Sequence, residues 1–99
     1  MVYEVIWSDD AYADIDQIAA YIAKDSPYHA HRVVEQIIEK SRSLDQFPER
    51  GRVVPEMGNP ALREMFVYSY RMIYEVTERH VHVLSVIHGA RLMENVKSL

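Results

Sequence analysis

The sequence predicts an α+β fold with the element order β-α-α-β-β-β, a helical hairpin packed on a small, mainly antiparallel sheet. Three observations predict it. Two apolar stripes at helical spacing occupy residues 9–44. A stretch rich in proline and glycine ends them. Two runs of strand composition, separated by a short polar break, then occupy the last third of the chain.

Val2 to Trp7 is β-branched and aromatic, and reads as the first strand. Ser8 has the chemistry of a helix N-cap, with Asp9 and Asp10 in the first turn where the helix dipole favours negative charge. Ala11, Ile15, Ile18, Ala19 and Ile22 recur on one face through about residue 24. Asp25-Ser26-Pro27 breaks this helix and starts the next, with Ser26 as cap and Pro27 at the first helical position. The second stripe is Ala30, Val33, Val34, Ile37, Ile38, Ser41 and Leu44, which predicts the longer arm of the hairpin.

Phe47-Pro48 ends the second helix, because proline disfavours helical geometry in the residue before it. From Pro48 to Pro60 the chain holds three of its four prolines and two of its three glycines, the composition of a long ordered loop. Arg63 to Tyr68, Tyr70 to Thr77 and Val81 to His88 are the remaining strands, in an antiparallel meander that the first strand joins. The tail from Leu92 reads as weakly helical or frayed. The 99 residues have room for one domain, 1–99.

Composition narrows the function classes. The chain is 48% hydrophobic and 26% charged, which fits a compact core rather than disorder. It has no cysteine, so neither a disulfide framework nor a cysteine-based zinc site is possible. No apolar run approaches the roughly 20 residues that span a bilayer, and the chain starts on a strand-like run rather than a signal segment. The expectation is a cytoplasmic protein with no membrane partner and no cofactor. The net charge of −4 is uneven: residues 1–39 hold eight acids and two bases, the remainder nine bases and seven acids. That balance counts against a dedicated nucleic-acid binder, whose affinity comes from neutralising phosphates.

A hairpin over Tyr70–His88 brings Arg71 at the start of one strand beside Arg91 just past the end of the next. Two guanidiniums on one sheet edge suit an anion or a partner's carboxylates. Arg50-Gly51-Arg52 and Arg63 add positive charge nearby, which either binds phosphate or pairs with Glu49, Glu56 and Glu64. His80, His82 and His88 share one face by strand period, yet His82 and His88 lie about 20 Å apart along the strand, too far to share a metal ion. His88, close to Arg71 and Arg91, is either a general acid or base in phosphodiester cleavage or a strand-end histidine bonded to backbone. Tyr68, Tyr70 and Tyr74, at even spacing, read as core or interface residues with one polar end. There is no glycine-rich phosphate loop, serine–histidine–acid order or paired-carboxylate motif.

Several runs together resemble the RelE/ParE superfamily of type II toxins. They are Trp7-Ser8 with Ala11, Asp14, Ile15 and Ile18; Tyr21-Ile22 before Ser26-Pro27 and Ala30; and Phe47-Pro48 with Gly51-Arg52-Val53-Val54-Pro55-Glu56. Arg63-Glu64, Tyr70 through Val76, and Val86-Ile87-His88-Gly89-Ala90-Arg91 complete the set. The resemblance implies a toxin neutralised by a cognate antitoxin protein, whose disordered segment folds on the toxin beside the two helices and at an exposed strand edge. Antitoxin contacts are expected at Arg52, Arg63, Arg71 and Arg91.

Within the superfamily, ParE-like members poison DNA gyrase and RelE-like members cut mRNA on the ribosome. The RelE-like catalytic set has two lysines on the second strand, an arginine starting the third, an arginine after the fourth and a tyrosine in the tail. Arg71 and Arg91 match its arginines. The lysine positions fall near Leu62 and Glu64, and the tyrosine near Lys97. The resemblance therefore implies a ParE-like gyrase inhibitor that performs no chemistry. The alternative is a RelE-like endoribonuclease with His88, Arg71 and Arg91 catalytic.

Overall fold

The computed structural model describes residues 2–89. Strand β1 (Glu4–Trp7) leads into α1 (Asp9–Ala23) and α2 (Pro27–Arg42), and a 3-10 turn (Ser43–Asp45) extends α2. A short β2 (Arg52–Val53) precedes β3 (Leu62–Val67), β4 (Tyr70–Val76) and β5 (His80–His88). The five strands form one sheet in the order β1-β5-β4-β3-β2. The last three are the expected antiparallel meander, and β1 joins it parallel to β5, with Glu4 opposite His80 and Trp7 opposite Val83. The second helix is the longer, as expected, though by one residue only, 16 against 15. None of the described helices is long and apolar enough to cross a membrane.

The helix starts follow from their caps. Ser8 Oγ accepts from Ala11 N at 3.0 Å, and Ser26 Oγ from His29 N at 3.1 Å, each satisfying an amide that has no partner inside the helix. The apolar stripes of both helices then cover one face of the sheet. Ala11, Ile15, Val33, Ile37 and Leu44 meet Met65, Val67, Met72, Tyr74, Val81, Val83 and Val86 in one buried cluster. A second, smaller cluster of Val54, Leu62, Ile73, Leu84 and Ile87 lies on the other face.

Within the stretch expected as loop, the structure forms a strand, β2. Its two residues pair with β3, Arg52 opposite Glu64 and Val53 opposite Arg63. Two residues are too short for a hydrophobic period to register, and prolines and glycines surround them. Tyr74 and Gly51 hold this edge in place. The fully buried Tyr74 hydroxyl donates to Pro48 O and accepts from Gly51 N, both at 2.8 Å. A Cβ at Gly51 would stand 2.5 Å from Glu64 O and 2.6 Å from the Tyr74 hydroxyl, so only glycine fits.

A β-bulge interrupts the β4–β5 ladder. Ile73 faces Ser85 but Tyr74 faces Val83, so Leu84 is an extra residue on β5. Side-chain parity reverses there. Val81 and Val83 before the bulge and Val86 after it all join the helix-side cluster, while Leu84 and Ile87 face the other way. Arg91 and the tail from Leu92 lie outside the described residues.

Tyr74→Phe is expected to cost about 1–3 kcal/mol, because it strands the buried Gly51 amide without an acceptor. Urea unfolding should register this as a lower midpoint with an unchanged slope. Gly51→Ala should cost more than Tyr74→Phe in the same measurement, since the clash is with backbone.

Candidate functional site

Four charged side chains converge on the sheet face away from the helices. Glu64 on β3 is fully buried there, its side chain 0% exposed. A carboxylate so far from water requires compensation by opposite charge and donors. Arg71 on β4 supplies both, donating from Nε to Glu64 Oε1 at 2.9 Å and from Nη2 to the same oxygen. Arg52 on β2 donates from Nε to the other oxygen, Oε2, at 2.5 Å. The outer edge of the Arg71 fork faces Glu56, in the loop between β2 and β3. Nη1 donates to Glu56 Oε2 at 3.1 Å and Nη2 to Oε1 at 3.2 Å, a bidentate pair. Phe66 roofs the cluster, its ring 5.6 Å from the Arg52 guanidinium and 6.0 Å from that of Arg71.

The electrostatics follow from these contacts. The hydrogen bonds from Arg71 hold the Glu56 carboxyl below the usual carboxylate range. Those from Arg71 to Glu56 and then to Glu64 raise the arginine further, against the opposing effect of burial. Burial pushes the Tyr74 phenol up. Two arginines and two glutamates leave the cluster without net charge.

The candidate arginines therefore occupy different settings. Arg71 stands on an interior strand, 5% exposed, rather than as a free cation on a sheet edge. Arg52 is the accessible member, with 62% of its side chain exposed. Arg63 stands opposite Tyr74, and its Nη1 donates to Gly51 O at 2.8 Å and Glu49 O at 3.3 Å. Of the pairings weighed from sequence, Arg52–Glu64 and Arg63–Glu49 form, the latter at 3.8 Å. Arg91 lies outside the described residues.

His88 is displaced from its expected surroundings. The bulge at Leu84 puts it on the helix side, together with Val86, whereas Arg71 and His82 face the opposite side. His88 accordingly sits edge-on to Tyr70, with ring centroids 5.8 Å apart. His80 and His82 do share a face, with ring centroids 5.7 Å apart, while that one inserted residue takes His88 off it and away from the side that Arg71 occupies. Period-2 counting along a strand cannot see a bulge. Tyr68 keeps the expected tyrosine face but not the expected strand. It lies in the β3–β4 turn at φ 54°, yet its ring still stands on the helix side, 6.0 Å from that of His29 on α2, as Tyr70 and Tyr74 also turn toward the helices.

His88, Tyr68 and Tyr70 border a cleft of about 540 Å³ between α1 and the β4–β5 end of the sheet, with Asp14, Gln17, Ile18 and Tyr21 on its helix wall. Sequence reasoning gave Asp14 no role of its own. Its carboxylate accepts from Ser85 Oγ at 2.7 Å and Val86 N at 2.9 Å, fastening α1 to β5 where β1 no longer covers it. An acid in the middle of an apolar helix stripe was the available signal. No group of three or more His, Asp or Glu among the described residues could hold a metal ion.

A family model for the ParE toxin of the type II toxin–antitoxin system parDE matches residues 5–93. The toxin RelE2 of Caulobacter vibrioides is 36% identical over 90 residues, covering 90% of this chain and 98% of that protein. Among solved structures, the chromosomal ParDE system of P. aeruginosa aligns with a TM-score of 0.73 at 22% identity, over 88% of this chain and 96% of that one. The toxin–antitoxin complex RelBE2 of Mycobacterium tuberculosis aligns at 0.66 and 20% identity, over 89% and 99%. These structural likenesses show the fold.

Glu64→Ala should destabilise by about 3–5 kcal/mol, because it leaves buried Arg71 without its inner partner. Glu56→Gln tests the outer pair through pH. The depressed carboxyl adds stability above its unfolded value of about 4.3, and loses it as pH falls through the lower folded value. The gap in unfolding midpoint between wild type and Glu56→Gln should thus be open at pH 6 and shrink below about pH 4.

Proposed function

Because the chain belongs to the ParE toxin family, within the RelE/ParE superfamily, and is the toxin component of a type II toxin–antitoxin system, we propose that it acts as a ParE-like inhibitor of DNA gyrase. It does so by binding rather than by chemistry. The observation that carries this reading is the Arg71–Glu64 pair. Arg71 is the residue matching a RelE-like catalytic arginine, and both sides of its guanidinium are taken by carboxylates of the same chain. Glu64, near a lysine position of the ribonuclease set, brings negative charge where an RNA phosphate would have to sit. His88, the remaining candidate acid or base among the described residues, faces the opposite side of the sheet.

A cognate antitoxin masks this surface in the cytoplasm. Its acidic residues meet Arg52, Arg63, Arg71 and Arg91, and its folding segment lies beside the helices. Structural neighbours solved as toxin–antitoxin complexes support such a partner. The second reading, a ribosome-dependent mRNA endoribonuclease, draws its support from the name of the relative RelE2.

The purified protein should block supercoiling of plasmid DNA by gyrase and leave mRNA on translating ribosomes intact. The reverse outcome would establish the ribonuclease reading, and His88→Ala should then abolish cleavage while the protein stays folded. Arg52→Ala is expected to weaken antitoxin binding roughly tenfold, about 1.4 kcal/mol, by titration calorimetry.

A further inference from the structure

The loop between β2 and β3 is anchored at both ends and exposed between them, with turn bonds from Met57 N to Val54 O at 3.3 Å and from Ala61 N to Asn59 Oδ1 at 3.0 Å. Val54 is fully buried, and its amide donates to Leu62 O at 3.1 Å. At the far end, Ala61 O accepts from Val76 N at 2.9 Å. Residues 55–60 are all exposed. Gly58 sits at φ 59° with open space around it, a position where the backbone can pivot at little cost. Within this span Glu56 reaches back to the sheet, its side chain 44% exposed and gripped by the outer edge of Arg71.

The two partners of Arg71 are not equivalent. Glu64 belongs to the sheet and cannot leave without unpairing β3. Glu56 belongs to a loop that can lift. If it did, Arg71 would present two parallel N–H groups to solvent, with Arg52 and the Phe66 ring beside them. That is a ready-made fork for a planar carboxylate. A singly charged carboxylate replacing Glu56 would also keep the four-group cluster neutral, next to the fixed negative charge of Glu64.

We propose that the outer edge of Arg71 is a carboxylate-binding seat, that Glu56 fills it in the free protein as an internal stand-in, and that an acidic side chain of a bound protein segment displaces Glu56 as residues 55–60 lift. The inference rests on the antitoxin reading above only for the source of that segment. The internal carboxylate competes at an effective concentration on the order of millimolar, as short tethers do. A partner must exceed this threshold, so weak acidic contacts are rejected and a tethered, multiply bound segment is accepted.

A hexaglutamate peptide serves as the probe, with an RNA hexanucleotide as the competing class, and the Arg71 Nη–H signals in NMR report on the seat itself, since those atoms face Glu56. Removing the competitor by Glu56→Gln should tighten peptide binding about tenfold or more, and shift the Arg71 signals on saturation. Glu56→Asp, which keeps the charge but withdraws the carboxylate by one methylene, should have the same effect to a smaller degree and covers the case in which the glutamine variant folds poorly. Peptide affinity within about twofold of wild type in both variants would overturn the seat. Stronger binding of the RNA than of the peptide would overturn the carboxylate assignment. Loss of the seat with antitoxin binding intact would leave the partner reading standing.

Discussion

The buried carboxylate of Glu64 is the constraint around which one side of this molecule is arranged. A charge with no exposed surface is costly unless donors surround it, and the donors come from two separate stretches of chain. Arg71 brings β4, Arg52 brings β2, and through Arg71 the carboxylate of Glu56 brings the loop between β2 and β3. A two-residue strand such as β2 has little pairing energy of its own. Its place in the sheet is held by the Arg52–Glu64 bond on one face and by the Tyr74 hydroxyl, which ties Gly51 and Pro48 from the other. The same arrangement that makes this edge stable removes Arg71 from general use as a surface cation.

The bulge at Leu84 divides the chemistry-bearing residues between two faces. On the helix side lie His88, the tyrosines Tyr68 and Tyr70, and the cleft that α1 closes with Asp14 and Tyr21. On the other side lie Arg52, Arg71, Glu56 and Glu64. A nuclease that uses a histidine and an arginine on one phosphodiester needs both within hydrogen-bond reach of the same group. A protein that works by contact has no such requirement, because separate surfaces can engage separate partners. The division therefore bears directly on which branch of the superfamily the chain follows.

The sheet edges are also treated differently. Past the end of β1, strand β5 would expose its backbone to any passing strand. Ser8 Oγ donates to Leu84 O at 3.0 Å and Asp14 accepts from Val86 N, so side chains of the first helix occupy those positions. Ser8 thus serves twice, as the cap of α1 and as a clasp on β5. The opposite edge is the short β2, whose exposed Arg52 and Val53 form with Phe66 a mixed charged and apolar strip of the kind protein partners contact.

Most of the architecture was legible in the amino-acid order. Helical stripes, serine caps, Pro27 at a helix start and two strand runs around a four-residue break are local signals, and every element but β2 formed within about two residues of its expected bounds. Local physics acts over a few residues, so a few residues suffice to read it. The family follows from the same kind of reading, since its motifs are short runs in fixed order. What only the tertiary structure decided is the set of partners. Arg71 was visible as a candidate from sequence alone, but its engagement by Glu64 and Glu56 depends on the register of β3 against β4 and the path of a loop. The side of the sheet that His88 occupies depends on one extra residue that no periodic count reveals. Burial and pairing are properties of residues far apart in the chain, and the sequence states them only once the chain has closed on itself.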